Sequence, residues 1–219
     1  MNNAVRVTVV VENTARDEGL ASEHGLAIHI RRGNTTGLLD TGASDAVITN
    51  AATLGIDLTA LDWVALSHGH YDHAGGLMAV LDQATGARLY LHRDALCRHV
   101  AVTEDGGRRF IGVPFGEQDL LDVAGPRLRW LNGPTELVPG VWVTGPIPQT
   151  VDFEELSSRY AVERSSGACS TDLFRDDQSV VIETASGIVV ILGCAHAGVL
   201  NTLRYVDLFS RARPIHAVI

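Results

Sequence analysis

His68, His70, Asp72 and His73 fall within six residues, in the string Ser67-His68-Gly69-His70-Tyr71-Asp72-His73. Imidazole nitrogen and carboxylate oxygen are the usual ligands of zinc and related divalent ions. On a helix, positions i and i+2 face different sides. A loop leaving a strand can turn both imidazoles inward, and Gly69 supplies the backbone freedom between them. Asp72 and His73 can then project toward a second ion nearby. A lone loop histidine is ordinarily a solvated surface group, but four ligand side chains in this order point to a metal centre.

The elements around the cluster follow from apolar patterning. Trp63–Ser67 is short and apolar, reads as a buried strand, and runs straight into the histidines. Beyond Gly75-Gly76, the spacing of Leu77, Val80, Leu81 and Ala84 predicts a helix closed by Gly86, followed by a strand over Arg88–Leu91. Upstream, Val5–Val11, Leu26–Ile30 and Gly37–Asp40 read as strands, and Ala46–Leu54 as a short helix ended by Gly55. Phe110–Val113, Leu128–Leu131 and Val141–Thr144 read as strands between Gly/Pro turns. Residues 146–177 are polar and weakly periodic, the pattern of a lid, a substrate loop or a mobile segment. A hairpin is expected over Ser179–Glu183 and Ile188–Gly193, turning at Ser186-Gly187, with a helix over Gly198–Ser210 and a strand over Ile215–Ile219. That hairpin sets Asp177 opposite His196 at its open end, where strand ends can supply a carboxylate and an imidazole to a metal. The competing reading makes Asp176-Asp177 a turn or a helix cap, and His196 a core histidine.

Composition narrows the function classes. The 219 residues fit one α/β domain spanning the whole chain, with 46% hydrophobic and 20% charged residues. Twenty-six acidic against 17 basic residues give a formal charge of −9. Arg31-Arg32 and Arg108-Arg109 are isolated pairs, so a nucleic-acid backbone is not the expected partner. No stretch approaches the ~20 apolar residues that cross a bilayer. Three cysteines (Cys97, Cys169, Cys194) form no disulfide framework, which suits a reducing compartment, the cytoplasm. The partner expected is a small-molecule substrate, with neither nucleic acid nor membrane; the oligomeric state stays open. There is no Gly-x-Ser-x-Gly elbow and no Gly-rich phosphate loop.

The pattern His-x-His-x-Asp-His after an apolar strand resembles the metallo-β-lactamase superfamily, which implies an αββα sandwich with metals at one edge. By that resemblance His68 and His70 hold a first metal, and Asp72 and His73 a second. The metal would be zinc, one or two ions, with manganese or iron as alternatives. Such a centre acidifies a water molecule, and Asp72 doubles as a proton shuttle. The implied activity is hydrolysis of a small ester-, lactone- or phosphate-bearing molecule. The strings Glu23-His24-Gly25-Leu26, Leu38-Leu39-Asp40-Thr41-Gly42, Leu54-Gly55-Ile56-Asp57-Leu58, Ser67 to Leu77, and Gly193-Cys194-Ala195-His196-Ala197-Gly198 followed by Asn201-Thr202 are similar to the dihydropterin-ribofuranosylaminobenzene-phosphate synthase-like branch. His196 matches a branch histidine, with Ala195 where Ser is usual, and is expected as a ligand, with Asp177 beside it. Asp40 resembles the buried aspartate beneath the metal loop, which accepts the second N–H of a ligand histidine; a simple turn residue is the alternative. His24 is a candidate for substrate contact, or a strand cap. Cys194 stands where the superfamily can place a bridging Asp or a Cys, although a buried small apolar residue is the commoner fate. His92, His99 and His216 have no supporting context and are read as structural.

In this branch the strand at His216–Ile219 continues into Gly-Gly-x-His-Leu and a last helix. The expectation is therefore a sandwich lacking that C-terminal strand and helix portion, one ligand short, with the second ion weakly held. Two other functions fit the same residues. One is a pterin-pathway synthase or transferase using Arg31, Arg108 or Arg159 for phosphate. The other is a non-catalytic metal-binding or sensing module.

Overall fold

The computed structural model describes residues 4–210 and 213–219. Strand Trp63–Ala65 is buried throughout, between parallel neighbours Thr35–Leu39 and Arg88–His92. Trp63 and Ala65 face one core and Val64 another, the period-two division of a strand covered on both sides. Leu128–Leu131 adds in parallel beyond Arg88–His92. On the other side, Ala27–Arg32 and then Val5–Val11 add antiparallel, completing a six-stranded mixed sheet.

A second sheet runs in the order Ile215–Val218, Gly187–Ile191, Val180–Thr184, Val141–Val143, Thr135–Val138. Ile28, Ile30, Leu39, Trp63, Tyr90 and Leu131 of the first sheet pack on Val141, Val143, Val180, Ile182 and Ile191 of the second. Each such side chain, once fully buried, contributes roughly 1.5–3 kcal/mol. Helices Ala46–Thr53, Leu77–Gln83 and Glu117–Ala124 cover the outer face of the first sheet through Val47, Leu77, Val80, Leu81 and Leu120. Helix Val199–Phe209 covers the second through Val206, against Val181, Ile188 and Val190. The layers are thus helix, sheet, sheet, helix, the expected αββα sandwich. No helix among the described residues is long and apolar enough to cross a membrane.

A third sheet was not legible beforehand. It is antiparallel and four-stranded, in the order Cys169–Thr171, Tyr160–Glu163, Arg98–Val102, Arg108–Phe110. Two of its strands lie within 146–177, the stretch read as a lid or mobile loop. They escape patterning because Cys169–Thr171 is exposed at every position. The strand expected at Phe110–Val113 forms instead at Arg108–Phe110, also exposed throughout, while Gly112 makes an isolated bridge to His70. The hairpin is tighter than expected, pairing Val180 with Ile191 and Thr184 with Gly187. In this register Asp177 does not stand opposite His196.

Candidate metal centre

Two strands, one from each sheet of the sandwich, end at the same edge and carry the histidines there. The loop after Trp63–Ala65 delivers His68 and His70, and the one-turn helix Tyr71–Ala74 turns Asp72 and His73 inward. The loop after Gly187–Ile191 delivers Cys194 and His196. Ring centroids lie 4.3 Å apart for His68–His73, 4.5 Å for His68–His70, and 4.9 Å for both His68–His196 and His70–His196. The Nε2 atoms of His68, His70 and His196 are all buried without a hydrogen-bond partner. A buried polar atom left unpaired costs roughly 1–3 kcal/mol, and three on rings whose centroids lie within 4.9 Å of one another call for a partner. A divalent cation accepts three imidazole lone pairs at once, so these residues fit the metal that the fold implies. His68, Cys194 and His196 offer ligand atoms within 4.8 Å of one another, as do His70, His99 and Asp172.

The tautomers can be traced from Asp40, which is fully buried beneath the loop. Its Oδ1 accepts the Ser67 N–H at 2.6 Å, and its Oδ2 accepts the Ser67 hydroxyl and His73 Nδ1–H, both at 2.7 Å. With the Ser67 proton committed to Asp40, Ser67 Oγ accepts His68 Nδ1–H at 2.9 Å. His68 therefore presents a bare Nε2 to the site, and Asp40 fixes the Nδ1–H of His73. His73 Nε2 lies 3.1 Å from Cys194 Sγ and 3.5 Å from Asp72 Oδ2.

The local charge states divide cleanly. Burial, reinforced by neighbouring histidines, holds His68 well below the usual imidazole range, takes His70 down to about 2, and takes His196 down to about 4. These three rings are neutral, with lone pairs free to bind a cation. Burial also opposes charge on His73, yet the Asp40 carboxylate outweighs it and holds that ring well above the ordinary value. Among the described residues, the non-glycine positions with left-handed backbone are Asp40 (φ 60°), Phe174 (φ 46°) and Ala195 (φ 50°). All three lie in or against the site, where such strain commonly gathers.

Asp177 is buried, and its Oδ2 accepts the Ala197 N–H at 2.7 Å, one residue past His196. Burial pushes its carboxyl up to about 7. His24 is exposed at the rim, its Nε2 3.4 Å from Asp72 Oδ2. Cys194 is exposed and turned to His73, not the buried small residue that its type favours. Arg108 is committed to Glu163 at 3.2 Å, and Arg31 and Arg159 are exposed.

His99, read as structural, is buried with its ring centroid 5.5 Å from that of His70. It donates from Nδ1 to Asp172 (2.6 Å) and from Nε2 to the Asp94 carbonyl (3.1 Å). Phe174 stacks on His196, 4.3 Å between centroids and 12° from parallel, and Tyr160 packs against His70 and His196. His99, Asp172, Phe174 and Tyr160 were missed because they sit on or beside the third sheet, whose strands carry no apolar alternation.

An αββα sandwich with a histidine-rich centre at the edge shared by both sheets defines a metal-dependent hydrolase fold. Residues 23–152 match the family model of the metallo-beta-lactamase superfamily, and the chain belongs to that superfamily. It is 31% identical to Tm1679, a metal-dependent hydrolase of the beta-lactamase superfamily, whose crystal structure superposes with a TM-score of 0.77 over 98% of this chain and 75% of that one. An uncharacterized protein of Methanocaldococcus jannaschii is 27% identical over 91% of this chain and 73% of its own. The 7,8-dihydropterin-6-methyl-4-(beta-D-ribofuranosyl)-aminobenzene-5'-phosphate synthase of the same organism is 24% identical over 90% and 70%.

Proposed function

We infer that this protein is a metal-dependent hydrolase of small ester-, lactone- or phosphate-bearing molecules. The observation that carries the reading is the clustering of the His68, His70 and His196 rings within 4.9 Å of one another, each with a buried, unpartnered Nε2. These residues would hold the first ion, with zinc the expected metal. Asp72 and His73, with Cys194 beside them and Asp177 nearby, would serve a second. A divalent ion held there supplies Lewis acidity toward water and substrate oxygen. Asp40 fixes the Nδ1–H of His73 and, through Ser67, that of His68, so that Nε2 is the atom each ring would turn to a metal. Asp72 Oδ2 lies between His73 and the exposed His24, placed to hold a proton and pass it toward solvent. Tyr160, half-buried against His70 and His196, offers an aromatic surface on which the substrate's carbon skeleton can pack, while the buried Phe174 backs His196.

Elemental analysis of purified protein tests the reading, followed by turnover on phosphodiesters, lactones and thioesters before and after chelation. The expected result is at least one zinc per chain and activity abolished both by chelation and by His68→Ala. Metal binding that is lost in His68→Ala, with no turnover of any substrate by the wild type, would favour a sensing module instead. A pterin-pathway synthase is the second reading, supported by similarity to the synthase from M. jannaschii. Formation of a ribosyl-aminobenzene phosphate, with no hydrolysis across the panel, would favour it.

A further inference from the structure

The segment Asp172–Gln178 touches both histidine loops from behind, and its contacts follow one another along the chain. Asp172 Oδ1 accepts the Phe174 N–H at 2.8 Å, while its Oδ2 holds His99. Phe174 stacks on His196. Asp176 Oδ2 accepts the N–H of Gly69, the residue between His68 and His70, at 2.7 Å. Asp177 accepts the Ala197 N–H. Gln178 donates its N–H to the Ser67 carbonyl at 2.9 Å and its Nε2–H to the Leu66 carbonyl at 2.7 Å.

Of these contacts, the Asp176–Gly69 bond lies nearest the chemistry. Gly69 is pressed so closely on the turn at Ala95 that a β-carbon there would collide with the Ala95 backbone. That turn is itself braced by the His99 bond to the Asp94 carbonyl. The Gly69 peptide is thus fixed from two sides, by the Ala95 backbone and by a carboxylate 2% exposed. Peptide orientation at Gly69 decides where the two flanking imidazoles point, since each lies one residue away. A carboxylate acceptor gives a stronger and more directional bond than a neutral one.

We propose that Asp176 is a positioning residue: through the Gly69 N–H it sets the angle between the His68 and His70 rings and so the metal affinity and ligand geometry of the centre. This rests on the reading that His68 and His70 hold the metal. Asp176 is not among the proposed ligands; its Oδ2 lies 3.7 Å from His99 Nε2, and its Oδ1 is buried without a hydrogen-bond partner.

The test compares wild type, Asp176→Ala and Asp176→Asn, loaded with Co2+, by chelator competition, visible absorption and thermal unfolding. The expected result is a 10- to 100-fold weaker Co2+ Kd in Asp176→Ala with an altered ligand-field spectrum. Asp176→Asn, which keeps an amide oxygen able to accept from Gly69, restores most of both. A lower Tm in Asp176→Ala with unchanged Kd and spectrum would show a merely structural role and overturn the proposal. Should Asp176→Ala not fold, Asp176→Glu, which displaces the acceptor by one methylene, carries the same comparison: a shifted spectrum supports it and an unshifted one overturns it. Failure of the wild type to bind Co2+ would instead overturn the metal-centre reading, so the two failures are distinguishable.

Discussion

Asp40→Asn isolates the buried carboxylate beneath the histidine loop. Three donors meet it, the Ser67 N–H, the Ser67 hydroxyl and His73 Nδ1–H, all within 2.7 Å. Asparagine tolerates the left-handed backbone at this position (φ 60°), so backbone strain does not confound the change. It keeps one acceptor oxygen but sets an NH2 group against at least one of the three donors. Losing a hydrogen bond to a charged acceptor costs about 1.5–3 kcal/mol, and an unsatisfied buried donor a further 1–3 kcal/mol. The expected loss is therefore roughly 3–5 kcal/mol, a large fraction of an ordinary domain's ~5–15 kcal/mol. Urea unfolding of the metal-free protein measures it as a lowered midpoint at constant m-value. Metal affinity should fall about 10–100-fold as well, since His73 and, through Ser67, His68 lose the partner that fixes their tautomer. An Asp40→Asn protein with the wild-type midpoint and wild-type metal affinity would refute the reasoning.

Gly69→Ala should cost roughly 1–3 kcal/mol or more and weaken metal binding, because its β-carbon meets the Ala95 backbone and not a movable side chain; a variant that unfolds and binds metal like the wild type counts against this. Phe174→Ala removes a buried ring stacked on His196 and should cost about 3–5 kcal/mol, read by thermal unfolding. The pH dependence of the metal-free form follows from His70, whose pKa falls from 6.5 to about 2 on folding. For a base lowered in this way the unfolded chain binds the extra proton, so the stability is present above pH 6.5 and is lost as pH falls below it. Each pH unit well below 6.5 costs about 1.4 kcal/mol. His70→Gln should therefore lose roughly 1 kcal/mol less than wild type between pH 6.5 and 5.5, measured by urea unfolding in the presence of chelator. Equal losses in the two proteins would contradict the neutral, buried state of His70.

The two-layer sandwich was legible because its strands are apolar runs covered on both faces, as in Gly187–Ile191, and its helices carry apolar stripes such as Leu77, Val80 and Leu81. The His68 to His73 loop was legible because its histidines and aspartate are neighbours in sequence. His99, Asp172 and Asp176 are brought beside that loop only by tertiary structure, from 26 or more positions away from His73. His99 lies on Arg98–Val102, which pairs with the exposed edge strand Arg108–Phe110, and Asp172 follows Cys169–Thr171, exposed at every position, so the sheet that holds them carries little burial code. The hairpin register was misjudged for a related reason. Gly187 (φ 131°) pairs directly with Thr184 in a tight turn, which shifts every later partner by two, and Asp177, before the paired strand, meets the His196 loop through its side chain at the Ala197 amide.

The centre draws His68 and His70 from one sheet and His196 from the other, and neither half alone contains it. An ion bound by all three is coordinated only when the two sheets are docked, so its binding energy is added to the cohesion of the sandwich. Removal of such an ion would therefore weaken the docking of one sheet on the other, on top of the apolar core between them, and not the pairing within either sheet.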